Sequence, residues 1–297
     1  MSASLGSESL GQPIRGPRAL PDDWSRFWQL AYNIARSEFK LKFFGSALGY
    51  VWQVMRPLLL FGVLYVFFVV IFKVGGRVKG DAAHFYGAQL LGSIVLFGFF
   101  NEATTGAVRS VVDRENLVRK IQFPRLAIPA SIVLLSLFNL ALNLVVVLIF
   151  ALISGVHPML SWLELPLIIL MLTLLSAGVA MLLSALFVKF RDIQPIWEVA
   201  GQILFYASPV IIPVETVKEK LAHGSLDHLL YHVYTLNPMV TVFQQFRHAM
   251  INHATLSAGQ ALGSWAALLE PLALVTAIFA LGFWVFSSAA PHIAEDL

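Results

Sequence analysis

Cysteine is absent from the 297-residue chain, and charged residues are scarce at 12% of the sequence. Without cysteine the protein cannot form a disulfide, a thiolate metal site or a cysteine nucleophile. Soluble domains carry about 25% charged residues, whereas hydrophobic residues make up 58% of this chain. This composition is typical of an integral membrane protein. The formal net charge of only +3 gives no indication of a nucleic-acid-binding face.

An energy source for transport is also missing from the sequence. A Walker A loop needs the pattern GxxxxGK[ST], and the nearest match, residues 75–80, is followed by Asp81. Ion-coupled transporters usually carry acidic residues or histidine in mid-membrane. Glu102 comes closest here, and a structural capping role for it is favoured over a proton relay. We therefore expect that the chain does not hydrolyse nucleotide by itself.

No catalytic arrangement stands out. His228 and His232 share a helix face at i, i+4 near His223 and Asp227, but they lack the glutamate of a zinc-binding HExxH helix and a clear third ligand. A polar helix edge is preferred to a metal site. Neither a Ser-His-Asp order nor a pair of hydrolase acids is evident. We expect a non-catalytic subunit with no metal or cofactor of its own.

Six apolar windows are long enough to cross a bilayer, which needs about 20 residues per helix. They predict spans at 57–73, 85–107, 127–153, 165–188, 196–212 and 271–289. The fifth is short and contains Pro209 and Pro213, so we expect it to break near its end. The sequence thus predicts an all-α integral membrane protein with a single domain over 22–297. Residues 1–21, rich in Ser, Gly and Pro, are predicted to be a disordered tail.

Two amphipathic regions complete the predicted architecture. From Trp24 to Phe39, aromatic residues and alanines recur at helical spacing opposite polar ones, which predicts a helix lying in the membrane interface. A surface helix of a soluble domain is the alternative. Segments 217–222, 229–234 and 240–251 are too short and polar to span, yet too apolar for a plain loop. We expect re-entrant or surface-lying helices that cap an opening there, unless 240–251 crosses the bilayer.

The distribution of basic residues predicts the orientation. Fourteen of the 20 Lys and Arg residues lie in the N-terminal segment, at 109–125 and at 189–191, and six lie on the opposite side. Basic residues concentrate on the cytoplasmic side of membrane proteins. Both termini and the 109–125 link are therefore predicted to be cytoplasmic.

The 109–125 link is a charged segment between two long apolar runs. Its sequence predicts one or two helical turns, with Asp113 as cap, Lys120 in the last turn and Pro124 after the end. The apolar residues Leu117, Val118 and Ile121 fall on one side. A charged helix with a narrow apolar edge is suited to docking a soluble partner, and a solvated turn is the alternative.

An aromatic stripe runs along the first predicted span. Its members lie at i, i+4, i+7 and i+11, namely Phe61, Tyr65, Phe68 and Phe72, and Tyr206 lies at matching depth in the fifth span. Aromatic faces stack against sugar C–H groups, so the stripe is a candidate lining for a glycan path. Packing against neighbouring helices or lipid is the alternative interpretation.

Six short motifs, in order, resemble those of type-2 ABC export permeases. Residues 43–58, FFGSALGYVWQVMRPL, resemble the opening of the first span, and residues 117–124, LVRKIQFP, resemble the link between spans 2 and 3. The others are FRDI at 190–193, ASPV at 207–210, LNPM at 236–239 and APHIAE at 290–295. Together they cover about residues 24–297. The chain is most similar to the polysaccharide branch, which exports O-antigen, capsule, teichoic acid or actinobacterial cell-wall glycans.

The resemblance implies a permease subunit of an ATP-driven exporter for a polyprenyl-linked polysaccharide, multi-pass in the bacterial cytoplasmic (inner) membrane. It implies a permease homodimer with two separate ATPase subunits, which carry ATP and Mg, and contacts with membrane lipid but not with nucleic acid. By this resemblance, the amphipathic helix at 24–39 corresponds to the interface helix of these permeases. The helices within 213–253 correspond to their external gate. A same-fold exporter of a drug or small lipid, and a membrane-embedded glycan enzyme or scaffold, are the alternatives.

The expected site residues fall into three sets. The ATPase coupling helix comprises Asp113, Arg114, Glu115, Asn116, Leu117, Val118, Arg119, Lys120, Phe123 and Pro124. The loop where substrate enters is bordered by Gly45, Gly49, Trp52 and Arg56. The substrate path comprises Phe61, Tyr65, Phe68, Phe72 and Tyr206.

Overall fold

The computed structural model describes residues 24–43, 49–72, 85–115, 124–221, 225–250 and 255–293. Within these ranges the chain forms helices and no strand. Five of the described helices are long and apolar enough to cross a membrane. The all-α integral membrane fold predicted from the sequence is therefore confirmed.

Along the described part of the chain, five long helices come first, shorter helices follow, and one long helix comes last. In chain order they are α1 (Trp24–Phe43), α2 (Gly49–Tyr65, continued by a π-helical turn Val66–Ile71), α3 (Tyr86–Val108), α4 (Ala127–Ile153), α5 (Leu165–Lys189, after a 3-10 helix Leu160–Glu164), α6 (Ile193–Ala207), α7 (Val214–Lys220), α8 (Ser225–Leu236), α9 (Pro238–Met250), α10 (Ala258–Leu262) and α11 (Leu269–Ala289, after a 3-10 turn Ala266–Leu268). Four predicted spans agree with α3, α4, α5 and α11 to within one or two residues, because each is a long and predominantly apolar run.

The first span starts earlier than expected. The predicted start is residue 57, whereas α2 begins at Gly49 and continues through Pro57. A proline inside a helix has no N–H to donate, so the carbonyl of Gln53, four residues earlier, lacks its usual helical donor. Because the helix passes through this proline, the apolar candidate span begins at Val51.

The centre of the molecule is α3, most of whose 23 residues are buried. It is apolar on every side, and such helices lie inside helix assemblies. Neighbouring α2, α4, α5 and α6 all pack against it. The closest helix pair is α5 with α11, where Gly178 and Gly282 remove side chains from the contact. Small residues let membrane helices approach closely.

The fifth predicted span is formed by α6 and the turn that follows it at residues 208–212. At 15 residues, α6 is about 22 Å long and ends where the break was expected, before the extended Ser208. Trp197 Nε1 donates to Thr104 Oγ1 at 3.1 Å, and the Tyr86 hydroxyl donates to the Ile211 carbonyl at 2.5 Å. Residues 197–211 therefore run antiparallel to α3 along nearly its whole length. The six-span count stays a prediction, which this arrangement favours.

Helices α7, α8 and α9 occupy the region where short capping helices were predicted, and α9 is almost entirely buried. Phe246 of α9 packs so tightly on Gly92 of α3 that a β-carbon at Gly92 would overlap its ring. Arg247 is 1% exposed and donates to the carbonyls of Pro209 and Val210. The structure thus buries α9 against α3, and whether this helix is re-entrant in the membrane stays a prediction.

Polar contacts join these short helices into one unit. Glu215 of α7 accepts from Gln244 Nε2 of α9 at 2.7 Å and from the Leu256 N–H at 3.2 Å. The Tyr231 hydroxyl of α8 donates to the Ala261 carbonyl of α10 at 2.7 Å. Burial raises the pKa of Tyr231 to about 12, so this phenol remains a donor at neutral pH. We name the unit formed by α7 to α10 the helical cap.

Candidate functional site

Two adjoining cavities form a groove beside α3. The α4 cavity, of about 410 Å³, lies among α2, α3 and α4 and also reaches Phe205. The α6 cavity, of about 490 Å³, lies among α2, α3 and α6. Both are lined by Leu60, Phe97, Asn101 and Phe205. The two cavities are therefore neighbours on one side of α3, and together we name them the groove.

Polar side chains line much of the α4 cavity. They are Gln53 and Arg56 from α2, Asn101 and Glu102 from α3, and Asn143 from α4. Gln53 is 8% exposed and Asn143 is 9% exposed. Among the described residues, neither amide forms a hydrogen bond, and the Asn143 Oδ1 is fully enclosed without a donor. Buried polar groups without partners are uncommon, because each costs free energy.

Glu102 connects three helices at the edge of this cavity. Its Oε1 accepts from Lys42 Nζ of α1 at 2.7 Å and from Asn139 Nδ2 of α4 at 2.8 Å. The helix continues beyond Glu102 to Val108, so this carboxylate does not cap it. It joins α1, α3 and α4 instead, and the preference for a structural role over a proton relay stays a prediction.

Aromatic rings line the α6 cavity. The Phe205 ring meets Phe97 edge-on, with 5.0 Å between centroids, and it meets Tyr206 edge-on at 5.3 Å. Tyr206 is 77% exposed. Gly201 lets α6 approach α3, since a β-carbon there would lie 3.1 Å from Asn101 Oδ1. The α6 cavity is therefore open to the outside of the chain and is lined by aromatic rings and amide groups.

The expected stripe on α2 divides between packing and exposure. Phe61 lies 5.3 Å, centroid to centroid, from Phe150 of α4, and Phe68 packs against the same core. The ring of Tyr65 covers Gly87, whereas Phe72 is 59% exposed.

All four stripe residues belong to the described residues, and none of them lines the α4 or α6 cavity. Leu60, one position before Phe61, lines both. Helix packing turns Phe61 toward Phe150 of α4, which agrees with the alternative interpretation of the stripe as packing. Tyr206 does line the groove. A role of these residues in transport stays a prediction.

The beginning of the 109–125 link is attached to α1. Arg114 forms an ion pair with Glu38, and burial lowers the pKa of the Arg114 guanidinium. Arg109 and Asp113 pair at 3.6 Å across one turn. Glu115 and Pro124 flank the remainder of the link. The expected coupling residues Asn116, Leu117, Val118, Arg119, Lys120 and Phe123 lie outside the described residues.

The loop where substrate was expected to enter is described in part. Gly45 lies outside the described residues. Gly49 has a φ of +38°, a region that favours glycine, and it begins α2. Trp52 is 45% exposed, and Arg56 lines the α4 cavity. Of this set, Arg56 is the residue that the structure brings to the groove.

The amides of the groove were not identified from the sequence. Asn139 and Asn143 stand four residues apart in the apolar run 127–153, and Gln53 and Asn101 lie in two other spanning helices. Polar residues within spans often mark a substrate path or a helix contact. That signal was present, but an uncharged amide in a span is a weaker indication of a path than a charged side chain.

Sequence comparison identifies a transporter family and three similar proteins. Residues 29–251 match the ABC-2 type transporter family. The O-antigen export system permease protein RfbA of Myxococcus xanthus is 25% identical over 272 residues, covering 90% of this chain and 95% of that protein. Two RfbA proteins of Klebsiella pneumoniae are 27% and 26% identical over 226 residues, covering 76% of this chain and 81% of each relative. The family match includes every residue that lines the two cavities.

Proposed function

The chain belongs to the ABC-2 type transporter family, and from this membership we propose that it is the permease subunit of an ATP-driven polysaccharide exporter. The exported molecule is a polyprenyl-linked glycan, and the membrane is the bacterial cytoplasmic membrane. The names of the RfbA relatives, O-antigen export permeases, support a polysaccharide as the cargo.

In this proposal, separate ATPase subunits supply the energy for transport. The sequence contains no Walker A pattern, so ATP and Mg are bound by separate ATPase subunits. Two permease chains and two ATPase chains form the exporter. The 109–125 link docks on the ATPase, and its attachment to α1 through Arg114 and Glu38 carries the movement into the membrane domain.

The groove beside α3 is the observation that supports the proposal most strongly. A glycan crossing about 30 Å of hydrocarbon needs a continuous polar or aromatic surface. The α4 and α6 cavities supply amide groups and exposed aromatic rings between the long helices. Aromatic contacts are weak, at about 1 kcal/mol each by analogy with ring pairs. In a homodimer, two such grooves line a passage along which a chain can slide.

Deletion of the gene in its own host tests the proposal. We expect the surface polysaccharide to disappear and the lipid-linked glycan to accumulate inside the cytoplasmic membrane, with recovery after complementation. A Tyr206→Ala variant, which removes an exposed ring from the groove, is expected to restore export only in part. Unchanged surface polysaccharide together with increased sensitivity to a drug would instead indicate a same-fold exporter of small molecules.

A further inference from the structure

Another cavity lies between α1 and three of the long helices. It has a volume of about 340 Å³ and is bounded by the first turns of α1 and α4 and by the middle of α5 and α11. Every side chain that lines it is apolar or aromatic. Among the described residues, it shares no lining side chain with the groove. We name it the α1 cavity.

Two tryptophans of α1 stand at the edge of the α1 cavity. Trp24 is 55% exposed and Trp28 is 53% exposed, whereas Phe27 between them is 2% exposed. The Phe27 ring meets both indoles edge-on, with centroid distances of 5.7 and 5.3 Å. Tryptophan is enriched where membrane proteins cross from headgroups to hydrocarbon. The cavity therefore opens beside rings that suit this boundary.

From this edge the cavity extends into the apolar layer. Val133 lies six residues inside α4 and Phe279 lies ten residues before the end of α11, which places the walls about 9 to 15 Å from the helix ends. Half of the hydrocarbon core is about 15 Å thick. An enclosed water needs polar partners, and this apolar lining offers it none at that depth. The chemistry of the walls therefore calls for an apolar occupant.

The position of α1 depends on what fills this space. The helix packs along α4, but at its beginning the α1 cavity separates it from Met181 of α5 and Phe283 of α11. Side chains around an empty space lose dispersion contacts on that side. Further along, α1 pairs with the 109–125 link through Glu38 and with Glu102 of the groove through Lys42. An occupant of the α1 cavity would thus anchor the helix that reaches both.

We propose that the α1 cavity binds one acyl chain of a membrane phospholipid, which is a structural ligand of α1. The polar end of the lipid lies beside Trp24 and Trp28, and the chain runs inward between α4, α5 and α11. The bilayer supplies this occupant, because the cavity opens at headgroup depth and narrows toward hydrocarbon with apolar walls, in the same direction as a lipid. The assignment does not depend on which molecule the protein exports.

Photochemical labelling of the permease–ATPase complex tests this assignment. The complex is placed in vesicles of phosphatidylethanolamine that contain phosphatidylglycerol with a diazirine midway along one acyl chain. We expect covalent attachment at Met181, which lines the cavity and is 6% exposed, and at Leu281, which is 49% exposed and serves as the reference. Ala130→Phe places a ring inside the cavity and should reduce attachment at Met181 at least tenfold, with Leu281 unchanged. Ala277→Phe, at an exposed position of α11, is the control and should label as the wild type does.

A stability measurement on the same variants checks the structural role. Removal of phospholipid by detergent should lower the unfolding midpoint of the wild type more than that of Ala130→Phe, because the new ring replaces the acyl chain. Ala177→Phe fills the cavity from α5 and should give the same two results, so the test does not rest on the folding of one variant.

Three outcomes would overturn the assignment. One is attachment at Leu281 without attachment at Met181 in the wild type, or equal attachment at Met181 in the wild type and both filled variants. Another is attachment at Met181 by a photoreactive polyprenyl diphosphate but not by the phospholipid, which would place the export substrate there. The third is attachment by the phospholipid only after residues 1–23 are removed, which would make the N-terminal segment the occupant.

Discussion

Lys42 of α1 and Glu102 of α3 form an ion pair, with 2.7 Å between Nζ and Oε1. One helical turn earlier on α1, Glu38 pairs with Arg114 at the start of the 109–125 link. The same helix therefore holds both the link and the carboxylate that lines the α4 cavity. We infer that α1 transmits movement between the 109–125 link and the groove.

Charge reversal at this pair should interrupt that transmission. Lys42→Glu places two carboxylates together and is expected to lower transport strongly, while the double variant Lys42→Glu with Glu102→Lys recovers part of it. Both side chains are about one-third exposed, so we expect a coupling energy of only about 1 kcal/mol in a thermal-unfolding cycle. Lys40→Glu, an exposed change on the same helix, serves as the control. Additive effects of the two reversals would contradict the inference.

Phe61 and Tyr206 should respond differently to alanine. Phe61 packs on Phe150, so Phe61→Ala is expected to lower the free energy of unfolding by about 1–3 kcal/mol, less than a fully buried ring would. Tyr206→Ala should change stability by less than about 0.5 kcal/mol and slow export. Phe67→Ala, at an exposed position that belongs neither to the stripe nor to the two cavities, is the control for each measurement. A stable Phe61→Ala protein with slow export would instead favour the stripe as the substrate path.

The bounds of the spans could be predicted from the sequence, but the contacts of the groove could not. The run from Ala127 to Ile153 is predominantly apolar and contains no charged residue, so its length indicated the helix. Helical spacing placed Phe61 on one face of α2, yet spacing does not say which helix that face meets. The pairing of Lys42 with Glu102 joins residues 60 positions apart, and local periodicity contains no information on such pairs.

The burial of α9 could not be predicted from the sequence, for a similar reason. The polar residues Gln244 and Arg247 lower the hydropathy of α9. The sequence alone therefore predicted a re-entrant or surface-lying helix. The structure buries both, because Arg247 finds the carbonyls of Pro209 and Val210 beyond the end of α6. Partners that distant segments supply decide whether a polar helix is buried, and these partners became visible only in the folded chain.

Helix packing at the glycines of α5 and α11 leads to a stability prediction. A methyl group on Gly282 would overlap the carbonyl oxygen of Gly178, and one on Gly178 would lie 2.7 Å from the Phe279 Cα. We expect Gly282→Ala to separate the two helices and cost about 1–3 kcal/mol of stability. Gly62→Ala is the matched control, because among the described residues nothing lies within 4 Å of a β-carbon there. That change should be neutral or slightly stabilising, and equal unfolding midpoints for the two variants would refute the packing argument.

Topology can be tested in this cysteine-free chain. Single cysteines at Gln122 and Gly224, both outside the described residues, should react with a membrane-impermeant thiol reagent from opposite faces of the membrane. The 122 position should react only after the cells are opened, and the 224 position should react in intact cells, because basic residues concentrate on the cytoplasmic side. Reaction of both positions in intact cells would contradict the six-span arrangement.

Transport by the reconstituted complex tests the central claim most directly. The permease and its copurified ATPase are placed in proteoliposomes with a fluorescent polyprenyl-linked saccharide, and its appearance in the opposite leaflet is monitored after ATP and Mg are added. We expect transfer that requires both subunits and stops when either ATP or the ATPase is omitted. Absence of ATP-dependent transfer by the intact complex, or equal transfer by the permease alone, would contradict the account.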